Sequence, residues 1–242
     1  MTGATAVFFY AFLTAVATAL GALPFLFVRR LSARTIAYAN AIASGLMLGA
    51  CYSLVAEGAA LGSLQTGAGA VLGVGFILLT QRYLHDHEIE FGNIRGVDAK
   101  RMSLIVIVMT VHSAAEGVAI GASFAGDITL AALITGAIAV HNVPEGLAIS
   151  AVLRPRGATV LSCAWWSFFS SIPQPIVAVP AFLFVDAFRP ALPYGMGFAA
   201  GAMVFMVLVE LLPDAYIEGE RSGVGLLVSI TLVFMVVFQQ YL

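Results

Sequence analysis

HNVPEGLAIS, residues 141–150, sets an imidazole, a carboxamide, a proline and a carboxylate inside a long apolar run. A second decamer, HSAAEGVAIG at 112–121, matches it without gaps at His, Glu, Gly, Ala and Ile. In each copy the His and Glu stand four residues apart, so on a helix they share one face. A paired polar unit on two consecutive apolar stretches raises the question of what surrounds it.

The surroundings are those of a membrane protein. Of 242 residues, 61% are hydrophobic and 10% charged, and the mean hydropathy is +1.00. A soluble domain averages about 25% charged residues, so composition alone places this chain among integral membrane proteins. Apolar segments of bilayer-spanning length recur eight times, at about 5–28, 36–60, 66–83, 102–124, 128–151, 158–184, 193–216 and 222–241. The expected fold is therefore an all-α integral membrane protein with eight transmembrane helices, a single polytopic domain over 1–242. Its longest connection is a loop at 84–101. The first apolar run lacks a basic lead and is long enough to span, so it reads as a helix rather than a cleaved signal. Cys51 and Cys163 both sit in apolar runs without CxxC spacing, which predicts small buried thiols.

Orientation follows from Lys and Arg in the connections. Arg29, Arg30, Arg34, Arg82, Arg95, Lys100, Arg101, Arg154, Arg156 and Arg221 fall on one side of eight spans, and only Arg189 on the other. Both termini are thus expected on the non-cytoplasmic side, and the 84–101 loop in the cytoplasm. The net charge of −2 and the absence of a basic stripe give no footing for nucleic acid. SGLMLGACYSLVAEG (44–58) and AAGAMVFMVLVELLPDA (199–215) share a small–Gly–apolar–Met pattern followed by a carboxylate. With the two decamers on helices four and five, this suggests a 3+2+3 arrangement with inverted repeats, a plan common among secondary transporters.

Glu57, Glu116, Glu145 and Glu210 all lie within spans, and the one Lys or Arg inside these bounds is Arg82, at the very end of the third. A carboxylate at a helix centre costs about 2.5–3.5 kcal/mol on insertion scales, so protonation or a bound cation is needed to offset it. His112 lies ten residues into the fourth span and His141 ten from the end of the fifth. An antiparallel pair then puts both imidazoles roughly 15 Å from the same boundary. Two imidazoles, two carboxylates and an amide form an N/O set suited to Zn²⁺, and with less preference to Fe²⁺, Mn²⁺ or Cd²⁺. Pro144 leaves the Val140 carbonyl without its helical partner. From the residues alone, a proton or cation carrier working through the same glutamates remains an alternative. So does an intramembrane metal-dependent hydrolase, although HExxH is absent.

The paired motif resembles the ZIP (Zrt-, Irt-like protein) family of divalent-metal transporters. HNVPEGLA at 141–148 is similar to the family's helix-five signature in its bacterial and organellar zinc-uptake branches, and HSAAEG at 112–117 to the helix-four counterpart. The resemblance spans essentially the whole chain. It implies eight helices, outward-facing termini and transport of a divalent cation, zinc first, toward the cytoplasm, with no resident cofactor and no reaction chemistry. It also implies a bilayer setting, most simply a bacterial inner membrane, and a homodimer.

By position, the resemblance gives one metal to His112, Glu116 and Glu145, with His141 beside them and a thioether from Met47. A second metal would fall to Asn142, Glu116 and Glu145, with Ser113 at the matching helix-four place. Gln174, in SSIPQPIVAVP, stands where many members carry a glutamate, which by resemblance makes it a neutral, weaker ligand of that second metal. Glu57 resembles an outer approach position, and Glu210 and Asp214, in VELLPDA, resemble inner-side ligands. His85 and His87 match the histidines often found in the family's cytoplasmic loop, where the other reading is an ordinary solvated polar segment.

Overall fold

The computed structural model describes residues 3–27, 32–88, 90–91, 94–95, 97–125 and 128–240. Arg29 and Arg30 lie outside the described residues. Nearly all of the rest is helix, the form in which an apolar chain satisfies its own backbone in lipid.

The first span is α1 (Gly3–Leu20), a turn, and α2 (Pro24–Phe27). A long helical run, α3 (Ala33–Asp86), follows; it starts at Ser32, whose side chain accepts from the Thr35 amide at 3.1 Å. At 54 residues it would extend about 80 Å, more than twice the hydrocarbon core of a bilayer. Its helical geometry breaks at Gly62, which is extended at φ 176° and ψ 100°. A short antiparallel hairpin pairs β1 (Glu90–Phe91) with β2 (Ile94–Arg95), matching Glu90 to Arg95. The 84–101 connection is thus shorter than expected, because α3 runs to Asp86 and α4 (Val97–Phe124) begins before the apolar run does.

α5 (Ile128–Leu153) passes through Pro144 without a break. The sixth apolar segment is divided into α6 (Val160–Ser171) and α7 (Pro173–Leu183), with Pro173 unable to supply an amide donor at the junction. After α8 (Val185–Phe188) come α9 (Leu192–Met206), a π-helical turn at Val207–Leu211, and α10 (Leu212–Glu218). α11 (Arg221–Gln239) closes the chain. Among the described residues, seven helical runs are long and apolar enough to cross a membrane, α3 counting as one.

Small residues let these helices meet backbone to backbone. A methyl group at Gly117 on α4 would lie 2.6 Å from the Gln174 carbonyl oxygen on α7, and one at Gly146 on α5 would collide with the Thr18 carbonyl on α1. Each of these glycines directly follows a glutamate of the paired motif. The main core gathers Met47, Cys51, Met109, Ile149, Met203 and Met206 beside the motif helices.

The ends that carry the basic residues touch one another. Arg34 pairs with Glu220 at 3.9 Å, Arg156 with Asp98 at 2.8 Å and Arg101 with Asp214 at 3.1 Å, and Lys100 donates to the His85 carbonyl at 2.6 Å. These contacts gather the starts of α3, α4, α10 and α11 with the ends of α3 and α5 at one pole of the bundle.

Candidate metal centre

α4 and α5 bring the two HxxxE units face to face. Donor atoms of His112, Glu116, His141 and Glu145 all lie within 4.8 Å of one another, and all four residues are buried. Glu145 Oε1 is 3.0 Å from Nε2 of both His112 and His141. Glu116 Oε1 stands slightly farther off, 3.5 Å from His112 Nε2 and 3.7 Å from His141 Nε2. The two rings stack at 5.6 Å with 12° between their planes, as expected if both project from the same depth of an antiparallel pair.

Some of these groups lack a protein partner. Among the described residues, both ring nitrogens of His112, Glu145 Oε2 and Ser113 Oγ are buried without a hydrogen bond. Buried polar atoms are normally satisfied, so a carboxylate oxygen left bare beside two imidazoles is open to a cation.

A second polar layer, reaching Glu116, comes from α1 and α7. Asn142 Nδ2 donates to the Thr14 carbonyl at 2.8 Å and to Gln174 Oε1 at 3.1 Å. The Thr14 hydroxyl divides its proton between the Ala11 carbonyl at 2.7 Å and Gln174 Oε1 at 2.9 Å. Gln174 Nε2 donates to Glu116 Oε2 and faces Asn142 Oδ1 at 3.4 Å. Deeper along α1, the Thr18 and Ser171 hydroxyls are 2.7 Å apart.

A profile of the ZIP zinc transporter family matches residues 95–236, more than half of the chain, including all four clustered residues. The chain belongs to the ZIP family. Among its relatives are the zinc transporters ZIPB of Bordetella bronchiseptica and GufA of Myxococcus xanthus. ZIPB is 36% identical over 238 residues, covering 89% of this chain and 75% of the relative. GufA is 31% identical over 227 residues, covering 87% and 89%. A zinc-transporter-like protein of Arabidopsis thaliana is 43% identical over 225 residues, 91% of this chain but only 36% of the relative. The chain thus spans about a third of that plant protein's length. Family membership sets the hydrolase alternative aside, because ZIP proteins are transporters and not enzymes.

In this ZIP protein the remaining residues singled out from sequence have varied fates. Met47 is fully buried on α3, as is Cys51, one turn further on. Both cysteines are free and buried, as expected. Glu57 is exposed five residues before the Gly62 break. Glu210 sits in the π-helical turn and accepts from Gln81 Nε2 at 3.0 Å. Asp214 takes both of its oxygens to Arg101 Nη1 at 3.1 Å, and Arg101 Nε lies 3.7 Å from Glu210. The expectation that no arginine could pair with a span carboxylate is therefore corrected for Glu210. Arg101 stands one residue before the fourth apolar segment, and its long side chain reaches in. Among the described residues the two histidines expected in the loop join no metal-sized cluster: His85 ends up in the last turn of α3, His87 stacks on Tyr83 at 4.2 Å with its Nδ1 2.8 Å from the Tyr83 carbonyl, and both are exposed.

Sequence reasoning missed Thr14, Gln81 and Arg101. A hydroxyl stripe at Thr14 and Thr18, four residues apart in an apolar helix, was the available signal for α1. Arg101 was read only as a topology marker.

Proposed function

We propose that this protein carries divalent transition-metal cations, zinc foremost, across a membrane toward the cytoplasm. The single observation that carries this reading is the buried cluster of His112, Glu116, His141 and Glu145, with donor atoms of all four within 4.8 Å. Two imidazoles and two carboxylates suit Zn²⁺, and less selectively Fe²⁺, Mn²⁺ and Cd²⁺. Na⁺ prefers oxygen ligands alone, so the paired imidazoles argue against a sodium carrier.

The route is read from polar groups on either side. Glu57 marks the outer approach. On the inner side, Asn40, Ser44, Met47 and Cys51 follow one face of α3, and Asn40 Oδ1, Ser44 Oγ and Ser150 Oγ are buried without partners. Asn40 lines a cavity of about 380 Å³ that also meets Asp98, Arg101, Asp214 and Glu218. A hydrated cation leaving Glu145 would find these bare oxygens and then the carboxylates, Glu210 and Asp214 among them. Release is aided by protonation, because imidazole and carboxylate bind metal only when deprotonated.

The Gly62 break supports counting α3 as two spans, eight in all. Gly117 meets Gln174 as Gly146 meets Thr18, and this exchange of partners supports 3+2+3 inverted repeats. The basic pole faces the cytoplasm by the positive-inside rule, which puts both termini outside, in a bacterial inner membrane, and a homodimer is the assembly the family leads us to expect. Proteoliposomes holding the purified protein should accumulate Zn²⁺, with Cd²⁺, Fe²⁺ and Mn²⁺ competing less well. Absence of uptake for all four ions refutes the proposal.

A further inference from the structure

We propose that the Gln174 carboxamide makes the central cluster a single-ion centre, by holding a hydrogen-bond donor where a second cation would have to bind Glu116. The inference rests on reading the His/Glu cluster as the transport site. It replaces the assignment of Gln174, Asn142 and Ser113 to a second metal.

The direction of the amides follows from one backbone group. The Thr14 carbonyl can only accept, so the Asn142 atom 2.8 Å from it is the NH2. That same NH2 reaches Gln174 at 3.1 Å, which makes the receiving atom Oε1. The Thr14 hydroxyl reaches the same oxygen at 2.9 Å, so both lone pairs of Oε1 are engaged. The other end of Gln174 is then NH2, and it faces Glu116 Oε2 and Asn142 Oδ1. Amide orientation is ordinarily a matter of inference from the network; here an acceptor that cannot turn sets it.

Turning Gln174 over would set its NH2 against that of Asn142 and push a carbonyl oxygen against a carboxylate. Water cannot compensate, since Asn142 and Gln174 are 0% exposed and Glu116 is 3% exposed. Gly117, next to Glu116, lets the Gln174 backbone approach closely enough for the contact.

The two carboxylates therefore differ. Glu116 keeps only Oε1 for the cluster, while Glu145 offers Oε1 to both imidazoles and holds Oε2 free. A cation placed beside Glu116 Oε2 would meet N–H protons instead of a ligand. One ion fits, on the two imidazoles, Glu145 and one oxygen of Glu116. Gln174 is the positioning residue that restricts Glu116 to this role.

Replacing the NH2 by oxygen changes this with almost no change in shape. Gln174→Glu sets two carboxylates against each other, a pair that needs a cation or a shared proton. The test counts Zn²⁺ bound to full-length protein in detergent by equilibrium dialysis, and subtracts the count for Glu145→Ala to remove peripheral ions. The wild type is expected to show one central ion and Gln174→Glu two. Zinc X-ray absorption should reveal a metal–metal distance of about 3.5–4 Å in Gln174→Glu only. Two central ions in the wild type overturn the proposal, and so does a single ion in Gln174→Glu that persists when pH is raised to about 8 to remove a shared proton. A difference of zero in the wild type overturns instead the reading of the cluster as a metal centre. Should Glu145→Ala fail to fold, the absorption spectra decide: a metal–metal signal in the wild type refutes the single-ion centre.

Discussion

The rings of His112 and His141 lie nearly parallel, 5.6 Å apart, and the Nε2 atom of each is 3.0 Å from one oxygen of Glu145, with a hydrogen bond from His141 alone. Two helices have converged their basic nitrogens on a single carboxylate in a site closed to water. That geometry gives each histidine a place in the proposed ligand set.

Removing either imidazole should therefore weaken the site by a similar factor. His112→Ala and His141→Ala are each expected to lower Zn²⁺ affinity at least about tenfold, or ~1.4 kcal/mol. Isothermal titration of the detergent-solubilised protein measures this. Unchanged affinity in either variant would remove that residue from the ligand set.

Protons should compete with the metal. Histidine titrates near pH 6.5 in unperturbed settings and carboxylates near 4, and only the deprotonated forms are ligands. Apparent Zn²⁺ affinity is thus expected to fall as pH is lowered from about 7.5 to 5.5 and to recover on return. Uptake measured across that range, at fixed free Zn²⁺, checks the sign. Tighter binding at low pH would contradict it.

Gly117 is expected to tolerate no side chain. Its Cβ would stand 2.6 Å from the Gln174 carbonyl oxygen, a backbone atom that cannot step aside. Gly117→Ala should lower stability by about 1–3 kcal/mol, as overpacking does, and should loosen the Gln174–Glu116 contact. Thermal unfolding in detergent, with and without Zn²⁺, separates the two effects.

The clustering of His112, Glu116, His141 and Glu145 was legible because helical spacing and matched depth are properties of sequence. The 3.6-residue period puts His112 beside Glu116 and His141 beside Glu145, and ten-residue offsets from one membrane face align the two pairs. The direction of Gln174 was not legible, since it depends on a Thr14 carbonyl that only tertiary packing brings near. The early start of α4 escaped notice because Val97–Arg101 is polar, and hydropathy marks the lipid-facing part of a helix rather than its hydrogen-bonded ends. The role of Arg101 was hidden for a related reason: a side chain rooted at the membrane edge acts a turn or more away from its own residue.

Arg101 offers a further check. Its guanidinium binds Asp214 through both carboxylate oxygens at 3.1 Å and approaches Glu210 at 3.7 Å, yet it is 39% exposed. Arg101→Ala should therefore cost no more than about 1 kcal/mol of stability. It should also free two carboxylates to retain Zn²⁺ at the inner end, slowing turnover. Arg101→Lys should restore the charge but not the two-oxygen contact. Steady-state uptake and thermal unfolding, measured on the same preparations, distinguish these outcomes.

The most direct measurement is Zn²⁺ uptake into proteoliposomes by wild type and Glu145→Ala, each verified as folded by size-exclusion chromatography. Glu145 touches both imidazoles and holds the bare oxygen of the cluster. Uptake by the wild type and none above empty liposomes for Glu145→Ala is the predicted result. A folded Glu145→Ala protein that transports Zn²⁺ at the wild-type rate would contradict a central site on α4 and α5.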